Sequence, residues 1–355
     1  MGQPSVSVVL CVHNGERFLR ATLATLVQQT HEELEIVVID DGSTDATAQI
    51  LSEYQGDARF RIFSQPNQGL VASLNSGLNK ANGEFIARID ADDLAHPERL
   101  ARQFAYLSNH PEVVALGSAV TLIDAFGRTR GVRRFPTGPS AVRTALSGGC
   151  ALAHPAVMFR KSAVVSAGGY RAAFKHAEDY DLWLRLSETH ELDNLPEALL
   201  CYRQHADSVT CRHAYRQSFA TILAKLAHKR RTAGLPDPFD QQSLPVSGAD
   251  LPKLSLSVQE EADLVIALCC LALTEEAGSV HALKATMEWG WSRRGRLHRG
   301  RYVRHAIVPY AAELLRSGQP REAFIWLTKG VGIAPFSALY AMAHRLIKKP
   351  FRRGY

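Results

Sequence analysis

SVSVVLCVHNGERFLRATLATLVQQTHEELEIVVIDDG, residues 5–42, places two continuous apolar runs, SVSVVLCV (5–12) and LEIVVIDDG (34–42), on either side of the helical pattern FLRATLATLVQQT. Apolar runs of this length closed by turn residues, here Asn14-Gly15 and Gly42, read as buried strands, so the stretch is a strand, helix, strand unit. The alternation continues. A helix over ATAQILSEY (46–54), a strand RIFSQ (61–65), a loop at Pro66-Asn67-Gln68-Gly69, a helix over LVASLNSGLNKA and a strand EFIARID (84–90) follow in turn. Such spacing predicts an α/β fold with a doubly wound, Rossmann-like, mainly parallel sheet flanked by helices, whose ligands bind beyond the carboxyl ends of the strands. Asp40-Asp41 and Asp90-Asp92-Asp93 both fall at such ends.

Beyond His96-Pro97, PERLARQFAYLSNH reads as a helix with proline at its start, and VVALGSAVTLID as a strand. The segment from Arg128 to Gly149 reads as loop-rich, and a strand around ALLCYRQH completes the first unit near residue 213. From 214 to 355 the pattern turns mainly helical, with a Pro-rich connector at 235–252. Two domains are expected, 1–213 and 214–355, and 355 residues are enough to build both.

Composition excludes several classes. With 46% hydrophobic and 21% charged residues the chain is an ordinary globular protein, without low complexity or a fixed repeat. Six cysteines (Cys11, Cys150, Cys201, Cys211, Cys269, Cys270) show no C-x-x-C or zinc-type spacing and read as reduced thiols in a cytoplasmic protein. No basic leader precedes the first apolar run, and the longest apolar stretch, Ala262 to Thr274, is interrupted by Asp263 and is far below the roughly 20 residues of a spanning helix. The net charge of +6 is unevenly spread: from Lys284 to Tyr355 there are 15 Lys+Arg against 3 Asp+Glu. RRGRLHRGRYVRH (293–305) and KKPFRRGY (348–355) carry much of this basicity. No nucleic-acid recognition motif accompanies them, and polybasic segments beside aromatic and aliphatic residues suit the anionic inner leaflet of a membrane, while a solvated basic face is the plainer alternative.

Three carboxylates within four positions oppose one another's ionisation unless they share a cation. Mg²⁺ and Mn²⁺ are hard ions that favour carboxylate oxygen and leave positions open for phosphate and water, so Asp90-Ala91-Asp92-Asp93 at a strand end fits a metal-diphosphate site. Spacing alone leaves a solvated, helix-capping turn equally open. Asp40-Asp41-Gly42-Ser43-Thr44-Asp45 has a similar double reading: residues that cap the next helix, or a carboxylate and helix start that receive a nucleotide.

SVVLCVHNGERFL, VVIDDGSTD, PNQGLVASLNSGL, ARIDADD, HPAVMFRKSAVVSAGGY, AEDYDLWLRL and YRQHADSVT occur in this order, and the order resembles the inverting family 2 glycosyltransferases of the GT-A fold over about residues 5–213. The resemblance implies that Cys11, His13 and Asn14 line the nucleotide pocket, that Asp41 contacts the base, and that Arg88 and the loop with Asn67 and Gly69 lie close by. It also implies that Asp92 or Asp93 binds Mg²⁺ or Mn²⁺ together with His205, while Asp90 approaches the donor ribose or sugar. Cys11 and His13 depart from the family, where threonine and tyrosine are commoner. Glu178-Asp179 matches the acidic pair whose aspartate is the general base, His154 falls in the glycine-containing acceptor-side segment, and His154 and Glu178 are both implied as contacts of donor or acceptor. Arg203 reads either as a diphosphate contact or as a strand-edge arginine facing a surface carboxylate, and Tyr180 and Trp183 as core supports of the helix bearing Asp179.

The expected function is transfer of a sugar from a nucleotide-diphosphate-sugar to a glycan or lipid-linked acceptor in bacterial surface-polysaccharide assembly. The absence of a Q-x-x-R-W motif points to addition of one or a few sugars. Two rivals remain at the level of sequence: a sugar-activating nucleotidyltransferase, of whose Gly-rich loop HNGERFL is a poor version, and a silent nucleotide-sugar-binding module.

Overall fold

The computed structural model describes residues 4–205, 214–240, 311, 314 and 319–330. The chain divides into two compact units, Met1–Ser208 and Val209–Tyr355. In the second, helices Ala214–Thr232 and Pro320–Gly330 are described. The basic segments 293–305 and 348–355, most of the Pro-rich connector and the apolar stretch 262–274 lie outside the described residues. Among the described residues no helix is long and apolar enough to cross a membrane.

The first unit is built on a nine-stranded mixed sheet. In chain order its strands are β1 (Val6–Val12), β2 (Leu34–Asp41), β3 (Phe60–Gln65), β4 (Phe85–Asp90), β5 (Leu94–Ala95), β6 (Val113–Asp124), β7 (Thr129–Arg133), β8 (Met158–Arg160) and β9 (Glu191–Gln204). They lie in the order β3-β2-β1-β4-β8-β6-β9-β5, with β7 attached to β6. β3, β2, β1 and β4 run parallel, as do β6 and β9. β8 is antiparallel to both β4 and β6, and β5 to β9. The continuous apolar runs of β1 and β2 follow from burial on both faces: all eight residues of β2 are buried.

Helices α1 (Leu19–Val27), α2 (Thr47–Ser52), α3 (Leu70–Lys80) and α4 (Arg99–Asn109) join the first strands as the alternation predicts. α1 buries Leu19, Leu23 and Leu26, one face at helical spacing, into a core shared with Val8, Leu10, Ile36 and Val38. α4 begins two residues beyond Pro97, with Glu98 preceding its first turn.

The segment from Arg128 to Gly149, expected to be loop-rich, instead contains the strand β7 and the helix α5 (Pro139–Gly148). Both were hidden for physical reasons. β7 is a largely exposed edge strand, TRGVR, that pairs only with β6 and shows no apolar alternation. α5 starts on a proline in its first turn and buries only Val142 and Leu146, one turn apart. β9 also begins seven residues before the expected ALLCYRQH: Pro196 and Glu197 sit where its register with β6 jumps from Leu195 to Ala198, a bulge that tolerates a proline within a sheet.

Two further helices, α6 (Lys161–Ser166) and α7 (Glu178–Ser187), cover the β8 side. α7 buries Tyr180, Leu182, Trp183, Leu184 and Leu186, so Tyr180 and Trp183 are core supports as expected. Asp181 is fully buried and accepts hydrogen bonds from Arg171 Nε at 3.0 Å and Arg185 Nε at 3.0 Å. Asp181→Ala removes the fully buried carboxylate that the half-buried Arg171 and Arg185 share and is expected to cost about 3–5 kcal/mol. Chemical denaturation monitored by far-UV circular dichroism checks this; a loss under 1 kcal/mol contradicts it.

Candidate active site

Three parallel strands deliver their last residues to one edge of the sheet. Cys11 of β1 is in register with Ile39 of β2 on one side and Asp90 of β4 on the other, where the winding direction of the sheet reverses. The loops that leave these strands tie one another down. Asn14 adopts a left-handed φ of 52°; its N–H donates to Ser43 Oγ at 2.9 Å, and its side-chain oxygen accepts from the Thr44 N–H at 2.8 Å. His13 Nδ1 lies 2.9 Å from the Asp41 carbonyl oxygen, and Asn67 Nδ2 is 3.1 Å from the same ring nitrogen.

Asp41 organises the loop after β3. Its carboxylate accepts from the N–H groups of Gln68 (2.9 Å) and Gly69 (2.8 Å) and from Gln65 Nε2 (2.8 Å). Burial raises its pKa, but the Gln68 amide, the Gln65 side chain and the Gly69 amide more than offset this and hold it below the usual carboxylate range. The carboxylate thus ties the end of β3 to the loop, and Ser73 adds a further hydrogen bond that lowers its pKa. Gly42, at φ 71°, makes the closure feasible, because a Cβ there would fall 2.7 Å from the Asn67 nitrogen.

The acidic cluster sits at the end of β4. One oxygen from each of Asp90, Asp92 and Asp93 lies within 4.8 Å of the others. Arg88, buried on the same strand, holds Asp90 through both guanidinium nitrogens, at 2.7 Å for Nη1 to Oδ2. Asp93 is 1% exposed; its Oδ1 accepts the Arg203 N–H at 2.8 Å while its buried Oδ2 has no partner. Burial first, then Asp90 and Asp92, push its pKa well above the ordinary value. An orphaned carboxylate oxygen beside two further carboxylates is the donor set that a hard divalent cation completes, so Mg²⁺ or Mn²⁺ fits these residues. His205 Nε2 reaches Asp92 Oδ2 at 2.8 Å from the end of β9, bringing the expected histidine to the same cluster.

A second set of acids faces this cluster. Glu178 and Asp179 open α7; burial raises the Asp90 pKa and the charge of Asp179 contributes to the rise, while Arg88 partly offsets the effect of burial on Asp179. Asp179 Oδ1 accepts the Tyr180 N–H at 2.7 Å, and burial raises its pKa. Glu178 is buried with Oε2 unpartnered; burial, then Asp179, lift its pKa to about 7. His154 is buried, its Nε2 2.9 Å from Tyr170 Oη, and burial followed by Arg88 depresses its pKa well below the usual histidine value. It is therefore a neutral imidazole. Burial also lifts the Cys11 thiol to about 12, which makes it an unreactive thiol at the end of β1.

All the expected residues thus lie on this edge: Cys11, His13, Asn14, Asp41, Asn67 and Gly69 on the β1–β2 side, Arg88, Asp90, Asp92, Asp93 and His205 at its centre, and His154, Glu178 and Asp179 opposite. Arg203 differs from both sequence readings. It is buried within β9, with its guanidinium on backbone carbonyls and on the Phe18 ring. Arg99 and Tyr170 carry parts of the site that the sequence did not disclose. Arg99 Nη2 donates to the Arg88 carbonyl at 2.6 Å from beneath β4, and burial brings its pKa down to about 9. Its side chain lies on the buried face of a helix, where an arginine breaks the apolar pattern without announcing a partner. Tyr170 is fixed through its backbone by Asn75, at 2.9 Å for N–H to Oδ1 and 2.8 Å for Nδ2 to O, and only this long-range clamp turns it to His154.

The model of the family described as Glycosyl transferase family 2 matches residues 7–165. The amylovoran biosynthesis glycosyltransferase AmsE of Erwinia amylovora is 34% identical over 214 residues, which are 59% of this chain and 80% of that protein. TarS 1–349 of S. aureus, solved in complex with UDP-GlcNAc, superposes with a TM-score of 0.55 at 19% identity, covering 89% of this chain and 92% of that one. The mannosyltransferase PcManGT of Pyrobaculum calidifontis, solved with GDP-Man and Mn²⁺, gives a TM-score of 0.50 at 18% identity over 97% and 85% of the two chains. At such identities the structural matches establish a shared fold.

Glu178 provides a test of the electrostatics. Its folded-state pKa of about 7 lies above the unfolded value of 4.5, so between these limits the folded chain holds a proton that the unfolded chain has lost. Stability relative to Glu178→Gln should therefore fall as pH rises through this window, by about 1.4 kcal/mol per pH unit at the steepest, and level off above it. Parallel urea titrations of the two proteins across pH 4–8 measure the difference; a flat difference overturns the assignment.

Proposed function

The chain belongs to glycosyl transferase family 2, and on that premise we propose that it transfers a sugar from a nucleotide-diphosphate-sugar to a glycan or lipid-linked glycan acceptor, with inversion at the anomeric carbon. The observation that carries this reading is the placement of Asp179 at the head of α7, near enough to the carboxylate cluster of β4 for its charge to add to burial in raising the pKa of Asp90. A base and a diphosphate-binding site on opposite sides of one pocket are what a single in-line displacement requires. Solved neighbours of this fold hold UDP-GlcNAc or GDP-Man with Mn²⁺, and the relative AmsE acts in amylovoran biosynthesis, which supports the donor class and the setting.

In this mechanism the β1 and β2 loops receive the nucleotide, with Asp41 beside the base and Asn14, His13 and Asn67 bounding the pocket. Asp92, Asp93 and His205 would hold Mg²⁺ or Mn²⁺, which supplies charge compensation for the departing diphosphate. Arg88 opposes the upward pull of burial on the Asp90 pKa and fixes that carboxylate as a hydrogen-bond acceptor for the donor's ribose or sugar. The acceptor hydroxyl oxygen forms its bond to the anomeric carbon as the bond from that carbon to the phosphate oxygen breaks. The hydroxyl proton passes to Asp179, and the nucleoside diphosphate leaves. A carboxylate whose pKa burial has raised is a stronger base than one in water, and it must still ionise at the working pH. Neutral His154 and buried Glu178 line the far wall for sugar hydroxyls. The net basic segment from Lys284 onward supports contact with anionic lipid at the cytoplasmic face, where a lipid-linked acceptor would be met.

Asp179→Asn is expected to lower transfer at least about 100-fold while leaving donor affinity unchanged. Coupled release of nucleoside diphosphate gives the rate, calorimetric titration gives the affinity, and proton NMR of the first-formed product gives the anomeric configuration. Retained configuration, or a variant with parental turnover, defeats the assignment of Asp179 as base.

A further inference from the structure

We propose that Arg203 is the positioning residue of the metal-binding loop, acting through Asp92 and Asp93 without touching the substrate; the proposal rests on the reading of that loop as the metal site. Residue 203 reaches the loop twice across about a hundred residues of sequence. Its backbone N–H donates to Asp93 Oδ1 at 2.8 Å, and its Nε donates to the Asp92 carbonyl oxygen at 2.7 Å. A third bond, Nη1 to the Asp124 carbonyl at 3.2 Å, anchors the guanidinium to the end of β6. The group also stacks on Phe18, 4.6 Å from the ring centroid, and the His205 ring lies 5.1 Å from that same ring. A planar fork on two carbonyls is a rigid strut of a kind that a flexible ammonium cannot reproduce.

The geometry has a direct consequence for the carboxylates. With Oδ1 of Asp93 taken by the Arg203 amide, Oδ2 is the oxygen left unpartnered and buried. The Asp92 backbone is fixed by the guanidinium while its Oδ2 meets His205, so β9 sets both the main chain and the side chain of that residue. Because Arg203 faces carbonyls and an aromatic ring, its guanidinium fixes the loop without pairing with the loop's carboxylates as Arg88 pairs with Asp90, which leaves Asp93 Oδ2 open to a cation. Groups that orient metal ligands in this way commonly govern 10–100-fold in metal affinity.

The test is titration of the full chain with Mn²⁺ alone, without donor, followed by calorimetry and by loss of the free-ion electron paramagnetic resonance signal. Arg203→Met and Arg203→Lys are expected to weaken Mn²⁺ binding by about 10–100-fold while the thermal unfolding transition stays cooperative. Phe18→Leu, which removes the stacking surface and keeps every hydrogen bond, is expected to weaken it by about 2–5-fold. Should Arg203→Met fail to fold, Arg203→Lys and Phe18→Leu carry the test. Folded Arg203 variants that bind Mn²⁺ within twofold of the parent overturn this inference alone. A parent chain that takes up no Mn²⁺, and whose transfer activity survives chelation and Asp93→Asn, defeats the metal reading and this inference with it.

Discussion

The structure depends on a concentration of negative charge that the fold does not neutralise. Asp90, Asp92 and Asp93 bring carboxylate oxygens within 4.8 Å of one another at the end of β4, and Asp93 is almost sealed from water. Repulsion and desolvation both oppose this arrangement, and burial is the larger of the two for Asp93. Only one of the three acids receives a guanidinium pair within the site, Asp90 from Arg88. Asp92 and Asp93 are held in place by Arg203 and His205 of the β9 end, and such fixed geometry is the condition for a cation to be bound there instead of merely attracted.

Three buried arginines divide the work of holding that end of the sheet. Arg88 pairs with Asp90, whereas Arg99 and Arg203 bind carbonyl oxygens of β4 and its loop and so fix the main chain. The same economy of contacts governs the β1–β2 side, where Asp41 uses its carboxylate to close the 66–69 loop and Gly42 lets the two backbones approach. Across the pocket, Glu178 and Asp179 are pushed toward higher pKa by burial, so the acids there differ in chemistry from Asp41, which abundant donors keep ionised. Environment, not residue type, separates the roles of these carboxylates.

Much of the first unit was legible in sequence because burial on both faces of β1 and β2, and one apolar face on α1, leave unmistakable periodicities. β7 and α5 were not, since an exposed edge strand and a helix with two buried residues leave almost no pattern. The acidic positions of the site were legible through motif order, but their states were not. The depression of His154 comes from burial and Arg88, the clamp on Tyr170 from Asn75 on α3, and the placement of Arg203 from a strand more than a hundred residues beyond the loop it holds.

By itself the sequence determined the alternation of strands and helices, the strand ends at which Asp41 and Asp90 stand, and the acidic pair that opens α7, because local periodicity and turn chemistry are written in neighbouring residues. Tertiary structure alone decided that β8 would run antiparallel between β4 and β6, that β9 would return beside β6 to bring Arg203 and His205 against Asp92 and Asp93, and which carboxylate oxygen would remain without a partner. Hydrogen bonding and desolvation act between groups that meet only when the sheet is assembled, so no reading of spacing along the chain contains them.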